Sequence, residues 1–123
     1  MASTKAVTAI WSTETFVAAT PHADSSTITL DDGYGASLHI KVTNGGTGPT
    51  IALALQIQVS ADNSEWYDFG GPLQSATGNS VVTSWGGIDI PIGVEYLKII
   101  NSTANTGQDV TVDADISEVT ALS

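Results

Sequence analysis

At 123 residues, with 41% hydrophobic but only 13% charged side chains, the chain has material for one domain with a real core, which excludes wholesale disorder. Thirteen acids stand against three lysines and no arginine, a net charge of −10 that argues against nucleic-acid binding and removes bidentate anion capture. The lack of cysteine excludes disulfides, thiolate chemistry and Cys-ligated zinc.

In chain order, the first sixteen residues, MASTKAVTAIWSTETF, lack the apolar core of a signal peptide. Residues 1–10 are small and suit an N-terminal arm, leaving 11–123 as a single β-sandwich domain. KAVTAIW, ETFVAAT and STITL are short strand candidates, with turns expected at Pro21 to Asp24 and at Asp31 to Gly35. ASLHIKVT alternates: Leu38, Ile40 and Val42 on one face, His39, Lys41 and Thr43 on the other. After a loop marked by Asn-Gly-Gly and Pro49, IALALQIQVS places Ile51, Leu53, Leu55, Ile57 and Val59 together.

QIQVSADNSEWYDFGG then turns over Ala61 to Ser64 and resumes with Trp66, Tyr67 and Phe69. Alternation puts Trp66 and Tyr67 on opposite faces, so they cannot serve one surface. The expectation is that Trp66 and Tyr96 fill the core and Tyr67 covers an edge. SVVTSW, IDIPIG and VEYLKIIN follow, with Pro91 marking an edge or irregular strand. Val110, Val112, Ala114 and Ile116 share the inner face of DVTVDADISEV, and Asp113 and Asp115 its outer face.

About eight short strands with no three-turn helix predict an all-β chain: one antiparallel, jelly-roll-like β-sandwich. The expected core is Leu38, Ile40, Val42, Leu53, Leu55, Ile57, Val59, Trp66, Ile99, Val110, Val112 and Ile116.

Chemical signals are sparse. The histidines, His22 and His39, sit in a turn and on a polar strand face, and no G-x-S-x-G, H-E-x-x-H or phosphate-cradling loop is present. No enzymatic activity is expected. The carboxylate pairs Asp113/Asp115 and Asp31/Asp32 can offer oxygen to calcium, but two acids fall short of a cage, so no metal or cofactor is expected. No apolar run is long enough for a membrane-spanning helix, and neither membrane nor nucleic acid is an expected partner.

From Ile57 onward, IQVSADNSEWYDFGG and IDIPIGVEYLKIINSTANTGQDVTVDADIS resemble small β-sandwich virion structural proteins of tailed bacteriophages. In those a strand ending in Ser leads through an Asp-rich turn to Trp, and a strand like that of Val94, Tyr96 and Leu97 precedes an Asn/Thr/Gly loop and a final V-x-V-x-A strand. The resemblance implies a capsid decoration (cement) protein, with a tail component as the alternative. It implies a virion protein assembled in the host cytoplasm, with the major capsid protein or other virion proteins as partners and self-association, a trimer being favoured. On that reading the contacts fall on the arm (Lys5, Ile10) and on neutral loops (Asn44, Thr47, Pro49, Pro72, Asn79). The S-x-D-x-x-x-W and Y-L-K-I elements also look like parts of discoidin-type sandwiches, which implies carbohydrate binding as an alternative of another class.

Overall fold

The computed structural model describes residues 3–16, 24–30, 35–91, 93–101 and 108–122. Among them are nine strands and no helix: β1 (Ser3–Phe16), β2 (Ile28–Thr29), β3 (Ala36–Asn44), β4 (Ala54–Ser60), β5 (Tyr67–Asp68), β6 (Leu73–Gln74), β7 (Val82–Ile90), β8 (Tyr96–Asn101) and β9 (Val110–Leu122). One sheet runs β1-β9-β3-β7; the other runs β2-β8-β4-β5, with β6 also on β4. All pairings are antiparallel. With β5 and β6 taken as one interrupted position, this is the strand order of a jelly roll.

The core follows the period-two pattern. Leu38, Ile40 and Val42 of β3, and Val110, Val112, Ala114 and Ile116 of β9, meet Leu55, Ile57, Leu97 and Ile99 of the second sheet, joined by Leu53 just before β4. Trp11 and Phe16 of β1 join this core edge-to-face, ring centroids 5.1 Å apart. Burial of branched side chains from both inner faces is the main force holding the sheets together.

Several expectations are corrected. Residues 3–10 are not an arm: β1 pairs with β9 from Ser3↔Leu122 to Phe16↔Val110, with three register shifts. Two weak strand candidates are thus one strand, bent by bulges around Trp11, with Thr13 in a left-handed conformation (φ 51°). SVVTSW and the start of IDIPIG likewise merge into β7, interrupted by a register shift opposite Leu38 and Ile40, near Gly87 (φ 68°). Ile51 lies in the connection before β4 and is 54% exposed. Trp66 and Tyr96 are only half-buried, and Val59 packs at the margin of the core. Leu97, which shares the face of Ile99, takes the interior place expected for Tyr96. The expected turns at Pro21 and Asp31, with the candidate ligands Asp31 and Asp32, fall outside the described residues.

Candidate functional site

Three surface regions gather polar or aromatic side chains. The first is the outer face of the four-stranded sheet. β3 pairs His39 with Asp115 and Lys41 with Asp113 on one side, and Lys41 with Ser84 of β7 on the other. Alternation on each strand brings all five side chains to one face. They line an open concavity of about 450 Å³ together with Ile40, Trp85 and Gly86.

His39 Nδ1 stands 3.4 Å from Asp115 Oδ1, with both side chains about half exposed. Asp113 Oδ1 accepts hydrogen bonds from the Thr13 amide (2.8 Å) and hydroxyl (3.2 Å), which holds the β1 bulge against β9. Asp113 and Asp115 are therefore engaged separately, and among the described residues no three His, Cys, Asp or Glu side chains gather as a metal group. Ser84 stands on the same face, across Lys41 from Asp113. What the concavity offers is a mixed set of donors and acceptors suited to hydroxyl-rich or polar groups.

The second region is the turn at 61–65 with the outer face of the other sheet. Ser60 Oγ accepts from the amides of Asp62 (3.2 Å) and Asn63 (2.9 Å) and donates to Asp62 Oδ1 (3.1 Å). Asp62 Oδ1 also accepts from the amides of Ser64 and Glu65, both at 2.9 Å. The Glu65 amide, then that of Ser64, then the Ser60 hydroxyl hold the Asp62 carboxyl below its ordinary pKa by stabilising its charged form. Beyond the turn, the Lys98 ammonium lies 4.3 Å from the Trp66 ring centre. Gln58 Nε2 donates to Asp68 (2.9 Å), and the Tyr67 hydroxyl donates to Glu65 (2.9 Å). The acids here act on their own backbone and neighbours: the stretch is first a hairpin.

The third region holds the neutral loops proposed from sequence as contacts. Asn44 is 4% exposed, and its side-chain amide donates to the carbonyls of Ala76 (3.0 Å) and Gly78 (2.9 Å). The Gly48 amide donates to Asn79 Oδ1 (2.8 Å), and that of Gly78 to the Pro49 carbonyl (3.1 Å). The approach is so close that a Cβ on Gly48 would stand 1.7 Å from the Gly78 carbonyl oxygen. Asn44 and Pro49 are thus interior stitches and are unavailable to a partner. Thr47, Pro72 and Asn79 are exposed, and so is Ile51. Ile10 is half-buried within β1, and Lys5 pairs with Val119 through the backbone.

Sequence reasoning named Asp113 and Asp115 but did not join them to His39, Lys41 and Ser84. The signal was present as alternation on each strand, but only the β9-β3-β7 adjacency brings the three strands together.

No protein-family model matches the sequence, and no curated protein matches it. Solved structures do match its fold. The structure of infectious bursal disease virus Gx strain aligns with a TM-score of 0.56 at 9% identity, over 93% of this chain and 31% of that one. The VP2 subviral particle of infectious bursal disease virus aligns with a TM-score of 0.51 at 13% identity, over 93% and 31%. The K3 cleaved adhesin domain of Lys-gingipain from Porphyromonas gingivalis W83 aligns with a TM-score of 0.52 at 10% identity, over 91% and 72%. The chain spans about a third of the viral chains it matches. At these identities the likeness establishes a shared β-sandwich fold.

Proposed function

We propose that this chain is a non-enzymatic virion structural protein that decorates the outside of a tailed-phage head and stabilises it. The observation that carries the reading is the stitched pair of loops at 44–51 and 75–81. No charged residue lies between Lys41 and Asp62 or between Asp68 and Asp89, so the two loops present neutral residues only, tied together by buried Asn44 and by the Gly48–Gly78 approach. Such a surface docks without desolvating charge and without ordering a floppy loop on contact. Its partner on this reading is the major capsid protein, and the acidic remainder of the molecule faces outward. The jelly-roll order, frequent among viral shell domains, and the fold shared with a subviral-particle protein support the same reading.

The test is to mix purified protein with capsids lacking it, and to measure occupancy and capsid melting. Occupancy with a raised melting temperature is expected, and Thr47→Asp or Ile51→Asp should reduce both. Failure to occupy any expanded capsid overturns the reading.

A second reading, carbohydrate binding, is favoured by the concavity lined by His39, Lys41, Ser84, Asp113 and Asp115. Specific retention on a glycan array, lost in His39→Ala and Asp115→Ala, would establish it in place of the first.

A further inference from the structure

The two edges of the four-stranded sheet are built differently. β1 carries three register shifts, devices that discourage a further strand from adding. β7, at the other edge, has no strand on its outer side among the described residues. From Val82 to Trp85 it is regular, pairing in sequence with Thr43, Val42, Lys41 and Ile40 of β3. It carries no lysine or proline, its first charge is Asp89, and Val82 is 57% exposed. The edge thus presents unpaired backbone donors and acceptors on a neutral, β-branched stretch.

We propose that the Val82–Trp85 edge of β7 pairs antiparallel with the same edge of a second copy of this chain, joining two four-stranded sheets into one continuous sheet about a twofold axis. Charge selects this occupant and this edge. A chain of net charge −10 can approach a copy of itself closely only where carboxylates are absent. Of the described acids at the same end of the sandwich, Glu14 lies on β1 at the far edge of the sheet, Asp24 lies beside β8, and Asp109 leads into β9, which with its Asp113 and Asp115 is set back from the edge behind β3. Like-facing side chains must pair across the axis, so the axis passes through a residue. With that residue Thr83, Val82 faces Ser84 of the copy; with Ser84 on the axis, Val82 faces Gly86. In both registers Asp89 lies beyond the start of the copy's β7 at Val82 and so opposes no carboxylate of that strand. Identical edges pair this way only in twos, so the edge favours a twofold dimer over the trimer expected from the sequence. The inference does not rest on capsid attachment, because its test contains no capsid.

The experiment is sedimentation equilibrium of the purified full chain over a range of concentrations, at low and moderate salt. The expected result is a monomer–dimer equilibrium that tightens as salt screens the residual repulsion. The double variant V82D/S84D sets carboxylates opposite one another across the axis and should raise the dissociation constant by about tenfold or more. Its thermal melting, followed on the monomer, reports that the sandwich is intact. V7D, at a more exposed position of the β1 edge, should leave the dimer unchanged. A wild-type chain that stays monomeric at its highest soluble concentration overturns the proposal. So does a dimer insensitive to V82D/S84D, or one dissociated by V7D alone.

Discussion

Leu97 and Trp66 show how a single side chain is worth what it touches. Leu97 is fully buried between the sheets, so Leu97→Ala should cost about 2–5 kcal/mol in urea unfolding. Trp66 is half-buried beneath the Lys98 ammonium on the outer face, and Trp66→Ala should cost only about 1–2 kcal/mol. That order reverses what alternation alone suggests. The phase of a strand does not carry across a turn, and the turn at 61–65 sets Trp66 facing outward. Within single strands the phase was legible: Leu38, Ile40, Val42, Leu55, Ile57, Val110, Val112 and Ile116 are all interior. Asp62 adds a pH dependence. Its carboxyl is held below its ordinary pKa by the amides of Glu65 and Ser64 and the Ser60 hydroxyl. Its stabilisation of the turn is therefore complete above the unfolded carboxylate pKa and is lost as pH falls through the lower folded value. An NMR titration should find Asp62 protonating below the ordinary aspartate value, and Asp62→Asn should remove that step.

The connection between β3 and β4 is an element whose conformation the sequence signals only in outline. Asn-Gly-Gly and Pro49 announce a loop, but nothing local announces that it lies against residues 76–81, because that contact spans the two sheets. Gly48 is the tightest point. Gly48→Ala would drive a methyl into the Gly78 backbone, part the loops and lower stability by about 1–3 kcal/mol in thermal melting. The candidate contacts divide between surface and interior for the same reason. Thr47, Pro72 and Asn79 were placed on the surface as expected, whereas Asn44 and Pro49 were spent on internal closure.

At the scale of the whole molecule, the jelly-roll order mates the first strand with the last. A chain lacking residues 1–10 loses most of β9's partner strand, from Ser3 to Ala9 and onto the Trp11 bulge. The deletion should leave a poorly cooperative urea transition and an aggregation-prone β9 edge, where an arm would have been removed without effect. The all-β class and the sandwich were legible from period-two runs and turn spacing. The pairing of β1 with β9 was not, since small residues and interrupted alternation in 1–16 look like a tail until β9 is beside them.

That pairing also makes the backbone nearly a closed ring. Ser3 lies opposite Leu122 on adjacent strands, and such neighbours are about 4.8 Å apart. A short linker could join them while the exposed turn at 61–65 is opened, giving a circular permutant with the same sheets. Cargo fused before β1 or after β9 leaves from one corner of the sandwich, across the sheet from β7. Segments attached at Ser3 and Leu122 therefore leave the neutral edge of β7 clear.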